Sequence, residues 1–209
     1  MLEVLYEDNH LLVCDKPAGL LTQDSGSGAP NLEDQAKEWL KSKYQKAGAV
    51  YLHAVHRLDK QVGGIVLFAK TSKALQRLQE GMRKREIEKV YLARVEGRIV
   101  PASGRLEQHW AYASHRAELR AQPFPGSKPV SLRYLTRDDG LIEVILETGR
   151  THQIRAQLAF AGAPIAGDAK YGARTAWGND KIALHHIRMS FIHPVTKARL
   201  TLQSIWLGK

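Results

Sequence analysis

The chain holds a single cysteine among 209 residues. One cysteine cannot close an intrachain disulfide. Cys14, inside the apolar run Leu11-Leu12-Val13-Cys14, reads as a small buried hydrophobe. A reducing, cytoplasmic home fits that usage. No apolar stretch approaches the roughly 20 residues that a membrane-spanning helix needs. The first ten residues, MLEVLYEDNH, carry acids and no basic segment, so a secretory signal is not expected there. Acids are in deficit: 21 Asp+Glu stand against 31 Lys+Arg, a formal net charge of +10. That deficit favours a polyanionic partner, nucleic acid ahead of membrane. There is no tandem repeat and no long low-complexity tract. Neither an HExxH pair nor a cysteine cluster offers a metal site.

What is present is ordinary globular composition, 44% hydrophobic and 25% charged, enough for a single domain over residues 1–209. A chain of this length buries more than half of its unfolded surface and needs no disulfide or metal to fold. LEVLYED and HLLVCDK read as short strands with Asn9 turning between them. Asn31 suits an N-cap, and Leu32, Ala36, Trp39 and Leu40 fall at helical spacing, which predicts a helix over 32–46. GGIVLFAK reads as a strand buried on both faces. Thr71 can cap the next helix, with Leu75, Leu78 and Met82 as its apolar stripe. EKVYLARVEG reads as a strand, and SLRYLT and LIEVILE as a hairpin through Asp138-Asp139-Gly140. TGRTHQIRAQLAFAG reads as a helix entry and helix, stopped near Gly162 and Pro164. KIALHHIRMSFIH and RLTLQSIW close the chain as strands. Without regular β-α alternation, the expected class is α+β with a mixed, mostly antiparallel sheet.

Three places carry candidate chemistry. Asp59 lies two residues after Arg57 and directly before Lys60, ahead of a Gly-Gly turn into a core strand. A carboxylate held at such an edge can act as nucleophile, base or metal ligand; an exposed ion pair is the bland alternative. His53, His56 and Asp59 are spaced by three, but Gly63-Gly64 breaks any helix, and in an extended segment residues three apart point to opposite faces. His185 and His186 diverge in a strand for a similar reason. The stretch ETGRTHQIRAQL places Thr148, Gly149, Arg150 and Thr151 at a helix start, with His152 following and Arg155 one turn on, a setting that attracts phosphate or carboxylate. Tyr91 shares a strand face with Lys89 and Ala93.

HRLDK with GGIVLFAKT, followed downstream by ETGRTHQIRAQLAFAGAPIAGDAKYG, resembles the RluA family of RNA pseudouridine synthases. YEDNHLLVCDKPAGLL, EKVYLARVEG and LHHIRMSFIHPVTK are similar to further segments of that family, in the same order. The resemblance implies a mixed, largely antiparallel sheet with flanking helices and a central cleft. It implies an isomerase that converts uridine to pseudouridine in rRNA or tRNA with no metal or organic cofactor. Asp59 matches the catalytic aspartate, Tyr91 the active-site tyrosine and Arg155 the arginine that pairs with the aspartate. Arg57 matches a position that fills the space left by a flipped nucleotide. Arg150, His152 and Lys60 are expected to meet RNA. Two departures stand out: Val62-Gly63 replaces a frequent Thr-Ser, and the motifs begin at Leu2, so an N-terminal S4-type domain is not expected. The partner is RNA and not membrane, and a monomer is expected. Two other classes stay open on the residues alone: a non-catalytic RNA-binding module, and a metal-dependent nucleic-acid hydrolase.

Overall fold

A computed structural model of the chain describes residues 2–206. These fall into two compact units, residues 2–87 with Ile187–Ile205, and Glu88–His186 with Trp206. In chain order the first elements are β1 (Glu3–Glu7), β2 (Leu11–Lys16), α1 (Leu32–Lys43), β3 (His53–Ala54), β4 (Gly63–Ala69) and α2 (Ser72–Arg83). Then come β5 (Glu88–Ala93), β6 (Ser103–Ala113), β7 (Arg116–Arg120), β8 (Lys128–Thr136) and β9 (Ile142–Leu146). The chain ends with α3 (Gln153–Phe160), β10 (Leu184–Ile192) and β11 (Arg199–Gln203).

In the first unit β2 pairs antiparallel with β4, Cys14 opposite Val66 and Lys16 opposite Gly64. All seven residues of β4 are buried, as expected for a continuous apolar strand covered on both faces. The core gathers Leu11, Val13, Ile65, Leu67, Leu78, Met189 and Phe191. Cys14 is fully buried, and burial pushes its thiol up to about 12, which makes it inert. The β1–β2 turn is built by Asp8, whose Oδ1 accepts the His10 and Leu11 N–H groups at 2.7 Å each. Asn9, the expected turn residue, is not the one that bonds across it. An Asp side chain reaching two and three residues on mimics a backbone turn.

The second unit is an antiparallel ladder in which β5 pairs with β9, β9 with β8, β8 with β6 and β6 with β7. Helix α3 covers it through Ala156, which packs with Ala117 and Tyr171. Residues 103–120, given no element in the sequence reading, form the long β6–β7 hairpin. Helices and mostly antiparallel strands make the class α+β, as expected; an isolated bridge, Leu21 with Asn31, is parallel.

Asn31 and Thr71 cap their helices as expected, accepting the Asp34 and Ala74 N–H groups. One helix extent needs correction. Helix α1 stops at Lys43 rather than residue 46, because Gln45 enters the left-handed region at φ 49°. The helix entry runs to His152, at φ 57°, and helix α3 starts at Gln153; the Thr148 hydroxyl bonds the Gln153 side chain and Ser131 O instead of capping a helix.

Capping and packing should separate in urea unfolding. Asn31→Ala should lower stability by about 1 kcal/mol. Leu67→Ala, in a fully buried position, should lower it by about 2–5 kcal/mol. Equal losses would refute this ranking.

Candidate active site

Asp59 lies in the turn between β3 and β4. It is half-buried, with Arg57 and Lys60 exposed and Leu58 buried. The turn is stitched to the 16–22 loop. The Thr22 hydroxyl donates to Leu58 O at 2.9 Å and accepts from Leu58 N at 3.1 Å. Gly19 N donates to Lys60 O at 2.8 Å. Lys16, fully buried, extends its ammonium to Pro17 O, Leu20 O and Lys60 O at 3.1, 2.6 and 3.2 Å. Burial pulls that ammonium down to about 8, against the opposing pull of the Asp59 and Asp15 carboxylates. The sequence pointed to Arg57 and Lys60 as the bases around Asp59; a third, Lys16, reaches it electrostatically from inside. Gly64, at φ 109°, starts β4 in a conformation that L side chains disfavour.

The candidate histidines separate. His56 Nε2 accepts the Leu67 N–H at 3.3 Å, while His53 is exposed and edge-on to Tyr51. Among the described residues no group of three or more His, Cys, Asp or Glu could hold a metal ion.

In the second unit Arg155 is 3% exposed. Asp168 holds it bidentately, accepting Nε at 2.6 Å and Nη2 at 2.8 Å. Five guanidinium N–H groups exceed what one carboxylate engages. Its guanidinium also lies 5.2 Å from the Tyr171 ring centroid. The Tyr171 hydroxyl accepts Ala117 N at 2.8 Å and sits 2.9 Å from His152 Nδ1. Burial raises the Tyr171 phenol above its ordinary value, which keeps it protonated. Thus His152 and Arg155 meet around Tyr171, while Arg150 is exposed. Tyr91 is 6% exposed and stacks on His186, ring centroids 4.5 Å apart and planes 16° from parallel. His185 stacks instead on Trp206, so the two adjacent histidines diverge as the strand period requires.

A buried amide chain fixes the turn ahead of α3. Gln153 Oε1 accepts Thr148 Oγ1 and Arg150 N; its Nε2 donates to Ser131 O and Gln157 Oε1. Gln157 Nε2 continues to Gln108 Oε1 at 2.6 Å. Lys16, Asp168 and Gln153 were missed in the sequence. Gln153 and Gln157, four apart on an otherwise apolar helix, were a readable signal; the partner of Arg155 thirteen residues away was not.

The architecture is that of the pseudouridylate synthases. Human RNA pseudouridylate synthase domain containing 4 superposes with TM-score 0.79 over 97% of this chain and 88% of that one, at 21% identity. Human RNA pseudouridylate synthase domain containing 1 gives 0.75 over 99% and 84%, at 19% identity. These likenesses establish the fold. The model of the RNA pseudouridylate synthase family matches residues 10–160, and the chain belongs to that family. Bacillus subtilis uncharacterized RNA pseudouridine synthase YhcT is 32% identical over 93% of this chain and 65% of its own length. Ribosomal large subunit pseudouridine synthase D of Neisseria meningitidis is 34% identical over 92% and 55%. The chain therefore spans roughly 55–65% of the length of these curated relatives.

Two buried cations give two tests. For Lys16 the folded state holds its proton less tightly than the unfolded chain. Between about pH 8 and the ordinary lysine value the unfolded chain binds more protons, so the native state gains stability as pH rises. Lys16→Met should be less stable than the parent at pH 7, because two loops lose their shared donor. The gap should widen by up to roughly 3 kcal/mol toward pH 10, and a pH-independent gap would overturn this. Asp168→Ala should cost about 3–5 kcal/mol by removing the carboxylate that holds the buried Arg155 in two bonds, whereas the pair Arg155→Met/Asp168→Leu should recover most of that loss. Urea unfolding of both variants decides it.

Proposed function

We propose that this protein is an RNA pseudouridine synthase with Asp59 as its nucleophile. The carrying observation is Asp59 itself, in HRLDK within the family match, on a turn stitched from inside by Lys16, Thr22 and Gly19. Pseudouridine formation breaks the C1′–N1 bond of uridine, turns the uracil and joins C5 to C1′. The proton leaves C5, and N1 ends protonated. Atoms balance with no oxidant, reductant or co-reactant. A nucleophile for this reaction gains from being fixed before substrate arrives; a turn with four hydrogen bonds to the neighbouring loop supplies such fixation.

In this reading Tyr91 stacks on the target base and assists at C5. Arg155, already oriented by Asp168, serves the Asp59 carboxylate. The exposed Arg57 occupies the gap left when the uridine leaves its stack, a step that costs a few kcal/mol. Lys60, Arg150 and His152 meet the surrounding RNA. The net charge of +10 supports a polyanionic substrate. The substrate is a structured rRNA or tRNA. Ribosomal large-subunit RNA is the first to test, since the Vibrio cholerae and Neisseria meningitidis relatives are named ribosomal large subunit pseudouridine synthases C and D. No metal or organic cofactor takes part, and the protein acts as a cytoplasmic monomer. Among the described residues no helix is long and apolar enough to cross a membrane.

The test maps pseudouridine in total RNA from cells with and without the gene, then repeats the conversion with purified protein in EDTA. A uridine lost from the deletion map should be restored by the parent protein. Asp59→Asn should abolish conversion while RNA affinity falls far less, because one acid among many bases does not hold RNA. Pseudouridine made by Asp59→Ala would falsify the assignment. Loss of conversion in EDTA with recovery on zinc, RNA folding held constant, would favour a hydrolytic metal enzyme instead.

A further inference from the structure

Lys89, on β5, is 8% exposed, yet among the described residues no hydrogen-bond acceptor or carboxylate is paired with its ammonium. Burial alone pulls it down to about 8. Lys16 shows the contrast: fully buried, it is met by three carbonyl oxygens. A buried cation without an acceptor is costly, and proteins retain few of them.

The place where Lys89 ends is informative. A Cβ on Gly149 would lie 3.1 Å from its Nζ. Gly149 itself is exposed, as are Arg150 and Thr151. The backbone of Gly149 lies outside the left-handed region, so conformation does not demand glycine there. Space does: any side chain would roof over the ammonium. Just beyond, α3 begins at Gln153; its cap residue His152 gives no side-chain cap, and the Gln153 N–H turns back to Arg150 O at 3.0 Å. A helix N-terminus thus follows, three residues on, the exposed glycine beside which the Lys89 ammonium ends, and both favour the same ligand, a tetrahedral oxyanion.

We propose that Lys89, reached past Gly149, and the 149–152 turn ahead of α3 form a seat for one backbone phosphate of the RNA. The inference rests on the RNA substrate named above and adds to it a phosphodiester contact on β5, beside Tyr91 in sequence. The Gln153 amide chain holds the turn in place through Thr148 Oγ1 and Arg150 N, so the seat is built before the ligand arrives. Arg150, exposed on the same turn, can approach the phosphate from the solvent side. The phosphate supplies the counter-charge that the protein withholds.

The test measures affinity for a single-stranded uridine 12-mer against salt, for the parent, Lys89→Met, Gly149→Ala and the double variant. Met matches the lysine stem without its charge. Ala at 149 displaces only the flexible end of Lys89 and leaves the backbone unstrained. Lys89→Met should make the slope of log affinity against log salt shallower by about 0.7, one phosphate contact on a single strand. Gly149→Ala should do the same with the lysine still present, and the double variant should lose no more than either alone. Urea unfolding should show Lys89→Met at least as stable as the parent. An unchanged slope in Lys89→Met, or two separate losses adding in the double variant, overturns the seat. Binding needs no turnover, so the two readings fail separately. Shifted slopes with no pseudouridine anywhere would leave the seat and remove the enzyme. Pseudouridine with unshifted slopes would do the reverse.

Discussion

The ammonium of Lys16 has no access to solvent and bonds three carbonyl oxygens from two chain segments. A charge in that position is costly unless every donor is met. Here three donors find three acceptors, which is what an ammonium offers and no other side chain in the loop could supply. The same group feels the Asp59 carboxylate. One cation thus does two things: it closes the 17–20 loop against Lys60, and it sets positive potential behind Asp59. Thr22 and Gly19 add the bonds that stop the loop from sliding. Without Lys16 the Thr22 and Gly19 bonds would still join the loop to the acid's turn, but the positive potential behind Asp59 would be gone.

The second unit solves a similar problem with a different chemistry. Arg155 is as deeply placed, and a planar fork meets a carboxylate fork through two parallel bonds. Asp168 therefore fixes the plane of the guanidinium as well as its place, and Tyr171 closes one of its faces. Lysine would hold the charge but not the plane. Tyr171 is in turn pinned by Ala117 N and His152, which ties the start of β7 to the start of α3. The left-handed backbone of His152 turns its imidazole toward Tyr171 rather than into a cap. The price is a helix start without a side-chain acceptor.

Much of the fold was legible in local pattern. Asn31 and Thr71 announce their caps because capping is read within three residues. GGIVLFA announces a doubly covered strand because nothing in it tolerates water. Asp138-Asp139-Gly140 announces the β8–β9 turn, with Gly140 at φ 77°. HRLDK and GRTHQIR gave the family by their order alone. What stayed hidden was either long in range or set by one backbone angle. Nothing near Lys16 in sequence signals that its acceptors include Lys60 O, 44 residues on. Nothing in TGRTHQ signals that His152 leaves the right-handed region, so the residue at which entry gives way to helix could not be read. The β6–β7 hairpin carries a mixed exposed pattern and lacks the clean alternation that marks a half-buried strand.

These particulars bear on why an acid stands between two bases at the mouth of β4. Arg57 and Lys60 are exposed, where a cation is worth little to stability. Asp59 between them belongs to a turn whose backbone is committed on both sides, Leu58 to Thr22 and Lys60 to Gly19 and Lys16. Alternation along the chain thus becomes a division of labour: fixed carboxylate, exposed cations. On the proposed reading the division suits a base that must be pulled from its stack and then met by a nucleophile at a defined distance. The exposed cations engage RNA of varied shape, while the distance at the sugar is set by bonds that substrate binding does not have to form. Had the cation that balances Asp59 been on the surface, RNA phosphates would compete for it at the moment of reaction. Placing that cation inside, as Lys16, removes the competition.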